Sequence, residues 1–396
     1  MKKVMAALLL CLLLPLLAGC DGGQEIETCL FVIGMAVDPA PNGNLTVTIK
    51  ALSGSQDAQP QTAEGGTGGT GNGEENEIAQ AQTEQVEPGY VVLSATAPSC
   101  LRALYLLSAT TPRTVNLSQL QEVVISRTLA ETDATLSVLK EIHSMYRANG
   151  SAVVVVTPDD AGDFIRRQHT LLGVRLSQYL KVLFKHYEEN DTIPPDAQLS
   201  AVIAAMESGT SDAAAGYAAS DDFDSTLVLE DAADIDRLPG HLPRTSPVQN
   251  EYLGAAIFSG PRMTGVLTGS ETALLCLMMG QANTRTTVID GAQYKTNVKT
   301  TVRRKIEQEG ALSVHIRLNL TRIAGEHARS AGDIAAEIER NCVSLIKKLQ
   351  ASGCDALGFG RYAIRACLTI DEWENGDWQT LYANAPVWVT ADVRVQ

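Results

Sequence analysis

Leu30-Phe-Val-Ile-Gly-Met-Ala-Val-Asp38 is a continuous apolar run, followed by Pro39-Ala-Pro-Asn42-Gly43 and then by Leu45-Thr-Val-Thr-Ile-Lys50. An apolar run of this length reads as a buried strand, and the alternation after it reads as a strand with one covered face. Asn42-Gly43 supplies the positive φ angles that a tight connection needs, so the two strands form a hairpin. The fold therefore opens with sheet and not with a helical bundle.

Working outward, residues 53–88 contain Glu64-Gly-Gly-Thr-Gly-Gly-Thr-Gly-Asn-Gly73, with Ile78 and Val86 as the large aliphatics. They read as a flexible insert between strands. Strands follow at 90–94, 120–125 and 152–156, alternating with helices at 99–108, 132–148, 159–167 and 174–187. Alternation of this kind gives an N-terminal mixed α/β domain over residues 20–206. Residues 207–250 are rich in Asp, Ala, Ser, Gly and Pro and read as an acidic linker. A second hairpin, 252–258 with 262–267, turns at Ser259-Gly260-Pro261 and leads into a short helix at 270–279. Strands at 286–289, 295–307 and 312–323, a long amphipathic helix at 331–350 and a closing strand at 386–395 complete the chain. Residues 251–396 thus form a C-terminal α+β region, with 251–285 and 286–396 as one way of dividing it. The fold class is α+β, a multi-domain mixed α/β lipoprotein whose C-terminal antiparallel sheet is packed by one long helix.

The lipoprotein reading comes from the first twenty residues. Lys2 and Lys3 form a positive start, and residues 4–17 are apolar. That run falls short of the ~20 residues needed to span a bilayer and suits a signal peptide over residues 1–19. Leu17-Ala18-Gly19-Cys20 directly after it matches a bacterial lipobox. In that chemistry Cys20 receives a thioether-linked diacylglycerol, the chain is cut before it, and the new terminus can be acylated. Several acyl chains hold a protein durably where one does not.

Composition narrows the rest. The chain has 396 residues, 31 Lys plus Arg and 46 Asp plus Glu, for a formal charge of −15. Losing residues 1–19 removes Lys2 and Lys3 and makes the mature charge −17. An acidic chain with 5 % aromatic residues is a poor nucleic-acid binder. Catalytic signatures are missing. Gly66-Thr-Gly68-Gly-Thr-Gly71 satisfies the dinucleotide pattern in letters, but no strand precedes it and no apolar helix follows. His143, His169, His186, His241, His315 and His327 fall at no metal spacing, and no cysteine pair is C-x-x-C. No cofactor, metal or catalytic residue is expected. Cys29, Cys276 and Cys342 lie in apolar stretches and read as small buried residues, whereas Cys100, Cys354 and Cys367 leave pairing open, with Cys354–Cys367 one option. Asp371-Glu-Trp373-Glu-Asn-Gly-Asp377-Trp378 reads first as two Trp anchoring a loop against the sheet and second as a sugar site.

Several stretches, in order, carry a resemblance. Glu25-Ile26-Glu27 precedes a strand with Gly34-Met-Ala36-Val-Asp38. Leu253-Gly254-Ala-Ala-Ile-Phe258 is followed by Glu271-Thr272-Ala-Leu-Leu275. Ile346-Lys-Lys-Leu349 leads to Asp355-Ala-Leu-Gly358-Phe359-Gly360, and Trp373 and Trp378 come late. Together these resemble the Ger(x)C family, the lipoprotein C subunits of spore germinant receptors. Asp21 stands where that family has Trp after the lipid cysteine, and the 53–88 insert and the 207–250 linker are longer than its pattern. The resemblance implies three mixed α/β domains on the outer face of the spore inner membrane and assembly with A-type and B-type membrane subunits. It implies a non-enzymatic part in nutrient-triggered germination, with Cys20 as the lipidation site. The rival readings are a solute-binding lipoprotein of a transporter, which wants a ligand cleft between lobes, and an extracytoplasmic hydrolase, which wants a nucleophile and base.

Overall fold

The computed structural model describes residues 28–52, 89–170, 175–220, 238–240, 242, 250–279, 285–289, 292–301, 314–324, 330–366, 373 and 376–395. The signal segment, Cys20, the 53–88 insert with its glycine run, Cys367 and most of the 207–250 linker lie outside these residues.

β1 (Cys29–Pro39) and β2 (Leu45–Leu52) form the expected hairpin, and Asn42 and Gly43 take φ of 63° and 73° at its turn. β3 (Tyr90–Ala97) adds antiparallel to β2. On the other side of β1 lie β4 (Thr114–Asn116) and β5 (Glu122–Ser126), both parallel to it and sharing its edge. β6 (Val153–Thr157) and β7 (Ala214–Ser220) continue in parallel. β8 (Asn250–Ser259) and β9 (Arg262–Leu267) close the sheet antiparallel. The order is β3-β2-β1-β5-β6-β7-β8-β9, with β4 off the path on β1.

Helices cover both faces, which is what the apolar runs of β1, β5 and β6 require. On one face α1 (Cys100–Ser108), α2 (Ala134–Ser144) and α5 (Leu199–Glu207) pack Leu104, Leu139 and Val202 against Met35, Val37, Val123 and Val154. On the other, α3 (Ala161–Arg167) and α4 (Leu176–Glu189) pack Phe164, Ile165, Leu180 and Phe184 against Ile33, Ala36, Val124 and Val155. Successive strand residues point to opposite faces, so Val123 and Val124 serve different cores.

The C-terminal part begins with α6 (Gly269–Met279) and continues as β10 (Arg285–Ile289), β11 (Ala292–Thr301) and β12 (Val314–Ala324). α7 (Ala331–Ala351), α8 (Trp378–Ala383) and β13 (Val387–Val395) follow. The sheet order is β10-β11-β12-β13. The first three strands are antiparallel as expected, but β13 adds parallel to β12 because the whole of α7 intervenes and carries the chain back. α7 buries Ile334, Ile338, Cys342, Leu345, Ile346 and Leu349 in one core with Ile316, Leu318, Leu320 and Val389.

One expected boundary is corrected. The linker does not begin at residue 207, since Ala214–Ser220 is β7, buried along its length in the middle of the sheet. The region expected from residue 251 opens with a hairpin that packs into both cores. The β8–β9 hairpin belongs to the N-terminal sheet, placing Ala256, Phe258 and Met263 in the first core and Ala255, Ile257 and Leu267 in the C-terminal core. No helix among the described residues is long and apolar enough to cross a membrane.

Candidate functional site: a buried carboxylate network and a domain junction

Two clusters of buried carboxyl groups absorb the sequence motifs. The first lies under α3 and α4. Gly34 leaves room on β1, where a Cβ would stand 3.2 Å from Glu122 Oε1 and 3.4 Å from the Ile165 side chain. Glu122, fully buried, accepts hydrogen bonds from Gln168 Nε2 at 2.7 Å and Tyr252 Oη at 3.1 Å. Gln168 Nε2 also donates to Tyr252 Oη at 2.8 Å. Lys50 Nζ, equally buried, donates to the Gln168 carbonyl and faces the Tyr90 ring at 5.9 Å. Burial pushes the Glu122 carboxyl up to about 7, against the lowering effect of its two hydrogen bonds and the Lys50 charge. Tyr252 is packed edge-on against Phe164 and Phe184 at centroid distances of 5.7 and 5.6 Å.

Asp38, last of the Gly34-x-Ala36-x-Asp38 run, caps α3. Its oxygens accept from the Ala161 and Gly162 N–H groups at 2.8 and 3.0 Å. These N–H groups open the helix and have no partner within it. Burial nonetheless holds the Asp38 carboxyl above the usual aspartate range.

The second cluster joins the two parts of the molecule. The Asp355 N–H donates to Asp212 Oδ2 at 2.8 Å, and the Asp212 N–H returns to the Asp355 carbonyl at 3.0 Å. Asp212 Oδ1 accepts from the Gly260 N–H of the β8–β9 turn at 2.8 Å. The Asp355 carboxylate accepts from the Phe359 and Gly360 N–H groups at 2.8 and 2.7 Å. Burial first, and then the neighbouring Asp212 charge, push Asp355 up to about 7, while the two backbone bonds and Arg361 act the other way. Gly358 turns with a φ of 67°, and a Cβ on Gly360 would lie 2.6 Å from the Thr210 carbonyl oxygen. Arg361 Nη2 donates to Ser211 Oγ at 3.0 Å. The Asp355-x-x-Gly358-x-Gly360 motif is thus a staple that holds the C-terminal core on the loop between α5 and β7. A cleft of about 610 Å³ flanks it, lined by Asp196, Ala205, Asp212, Met279, Arg361 and Tyr362.

The remaining motif residues are structural. Glu271 and Thr268 form a reciprocal cap at the start of α6, with Thr268 N–H to Glu271 Oε2 at 2.9 Å. Lys348 of α7 meets the same Glu271 oxygen at 2.5 Å, tying the two helices. Trp373, Trp378 and Tyr382 stack at centroid distances of 5.3 and 5.7 Å against the C-terminal core. Asp377 caps α8 through the Thr380 N–H at 3.0 Å, which favours the anchoring reading over a sugar site. Asp371 lies outside the described residues. Cys29, Cys100, Cys276, Cys342 and Cys354 are buried thiols that form no disulfide with one another, and Cys367, the other half of the Cys354–Cys367 option, lies outside the described residues. No metal-binding group of side chains occurs among the described residues. Sequence reading found Gly34, Asp38, Glu271, Asp355 and Gly360. It missed Glu122, Gln168, Tyr252 and Asp212, whose partners lie far off along the chain.

Comparison with known proteins divides the chain in two, with the break before the β8–β9 hairpin. A family model described as the spore germination protein N-terminal domain matches residues 22–219. A second, described as spore germination B3/GerAC like, C-terminal, matches residues 253–396. The chain therefore belongs to the GerAC-like family of spore germination proteins. A structure described as the crystal structure of the GerBC protein is similar over 94 % of this chain and 99 % of its own, at 15 % identity and a TM-score of 0.46. No curated protein matches the sequence.

Proposed function

We propose that the chain is a non-enzymatic, lipid-anchored subunit of a spore germinant receptor. It acts in nutrient-triggered germination by assembling with A-type and B-type membrane subunits on the outer face of the spore inner membrane. The observation that carries this reading is the pair of germination-protein matches, in order, over residues 22–219 and 253–396, behind a lipobox at Leu17-Ala18-Gly19-Cys20. The role of the buried and half-buried carboxyl groups supports it. Glu122, Asp38, Asp212 and Asp355 all accept hydrogen bonds from the protein's own N–H and O–H groups, as scaffold groups do. The junction at Asp355 gives such a subunit a defined joint between its anchor-side sheet and its C-terminal domain.

The test is an affinity pull-down of the tagged full-length protein from detergent-solubilised spore membranes, read by mass spectrometry. Recovery of multi-span A-type and B-type subunits is expected, and recovery of a transporter permease with its ATPase would replace the reading with a solute-binding one. Cys20→Ala is expected to leave the fold unchanged while the protein leaves the membrane fraction under a high-salt wash. Full retention of that variant counts against the lipid anchor.

A further inference from the structure

The C-terminal sheet reverses the charge of the rest of the chain. Residues 280–329 hold nine Lys or Arg against four Asp or Glu, a formal +5, whereas residues 20–279 hold 14 against 33, a formal −19. The connection between β11 and β12 is part of this basic stretch, with Arg303, Arg304 and Lys305 against Glu307 and Glu309. One face of the sheet is covered. Ile316, Leu318 and Leu320 of β12 and Val389 of β13 lie in the core under α7, and Trp373 and Trp378 of the acidic 371–378 stretch pack against that same core. The residues that alternate with these make the other face. There Arg317, Trp388, Thr390, Asp392 and Arg394 are exposed, Trp388 at 48 %.

The strand register concentrates positive charge on that exposed face. It sets Arg317 between Thr390 of β13 and Lys299 of β11, and Thr321 between Arg394 and Lys295. Like charges directly opposite one another weaken an antiparallel pair, so Lys299 against Arg317 is a cost that a carboxylate laid across them offsets. Arg317 has no acidic partner among the described residues, and Arg394 has Asp392 at 3.3 Å with both side chains largely exposed. Trp388 stands two residues before Thr390, next to the Arg317 row on the same face. Trp and Arg are the side chains that carry most energy in protein interfaces. Four strands about 4.8 Å apart, each of roughly nine residues, make a platform on the order of 15 by 30 Å, which suits one helix or one extended segment. The occupant is acidic by charge complementarity, and its extent follows from the rest of the chain. A lipid leaflet or a nucleic acid is an extended array of phosphates, which the −19 part of the molecule repels. A short acidic segment of a protein meets the sheet alone, because charges more than about 8 Å away are largely screened at physiological salt.

We infer that the exposed face of the C-terminal sheet, built around Arg317, Trp388 and Arg394, docks an acidic segment of a partner protein. The inference goes beyond the receptor reading, and its test needs neither the lipid nor the membrane subunits. The mature chain from Asp21 is titrated against a fluorescein-labelled peptide of three Glu-Leu-Asp-Ala repeats, and binding is read by fluorescence anisotropy. The peptide is expected to bind about tenfold more tightly than its Gln-Leu-Asn-Ala counterpart, and R317E/R394E is expected to lose that difference. W388A is expected to weaken binding about fivefold. K181E/K185E changes the net charge by the same amount on exposed positions of α4 and is expected to bind as the wild type does. R317E sets an acid opposite Lys299, so its urea midpoint should stay level or rise, which separates lost binding from lost folding. Equal losses in the two double variants overturn the inference, because net charge then accounts for the binding. An oligothymidylate or phosphatidylglycerol vesicles that bind the wild type as tightly as the peptide, and lose binding in R317E/R394E, overturn it too by making the face a site for phosphates. Peptide binding that emerges only when residues 53–88 are deleted gives the face to the chain's own acidic segment. A salt-sensitive dimer of the wild type, absent in R317E/R394E, gives it to a second copy, and either result replaces the inferred partner.

Discussion

Gly34 and Glu122 occupy one another's space: the absent Cβ of the first is where the carboxylate of the second fits. Gly34→Val places a branched side chain against Glu122 Oε1 and Ile165, and overpacking of this kind costs about 2 kcal/mol. A lower urea midpoint with an unchanged slope is the expected outcome. The pH response follows from the same carboxyl. Glu122 titrates near 4.5 when unfolded and at about 7 when folded. Between these values the folded protein binds the proton more tightly, so stability is greatest below the window and declines as pH rises through it. Glu122→Gln keeps the shape and the contacts to Gln168 and Tyr252 and removes this titration. Urea midpoints from pH 5 to 8 should fall less steeply for the variant, which should be the more stable protein at pH 8. Asp355 shifts in the same direction, so a residual slope belongs to the junction. Wild-type and variant curves that run parallel would mean that Glu122 is ionised throughout.

At the scale of elements, the junction turns on backbone packed against backbone. Gly360→Ala brings a methyl group to 2.6 Å from the Thr210 carbonyl oxygen, and neither side is a flexible chain end that could swing away. The loop 208–212 or the turn 355–360 must move, which breaks the paired Asp212–Asp355 backbone bonds. Hydrogen exchange should rise at Asp212, Asp355 and Phe359 while amides in β1 and β5 keep their protection. Unchanged exchange at the junction would show that the loop adapts without cost. The sequence announced this turn by its Asp-x-x-Gly-x-Gly spacing, as it announced β1 and β2 by apolar runs around Asn-Gly and α7 by its helical period. It did not announce β7. Ala214-Ala-Gly-Tyr-Ala-Ala-Ser220 has the composition of a linker, because between β6 and β8 small side chains are what the packing accepts. Nor could Asp212 be paired with Asp355, or Glu122 with Gln168 and Tyr252. A hydrogen bond between distant residues leaves no periodicity to read, and polar residues near Gly and Pro look like any loop.

Over the whole molecule, the β8–β9 hairpin is the element that both parts share. Its alternate residues are shared, with Phe258 in the first core and Ile257 in the second, and its turn binds Asp212 through Gly260. A cut at residue 206 leaves β6 without β7 and strips Phe258, Ala256 and Met263 from the first core. A fragment of residues 21–206 should therefore be poorly packed, with weak near-ultraviolet circular dichroism and fast amide exchange in β6. A fragment of residues 21–279 keeps the whole nine-stranded sheet and should recover both signals. In the intact protein Ile257→Ala, which costs about 3 kcal/mol for a buried aliphatic, should lower a single melting transition seen by probes in both parts. Two separated transitions, with only the C-terminal one moved, would make the parts independent and remove the hairpin as a route between them. One shared transition means that a displacement at the C-terminal domain is felt in the nine-stranded sheet.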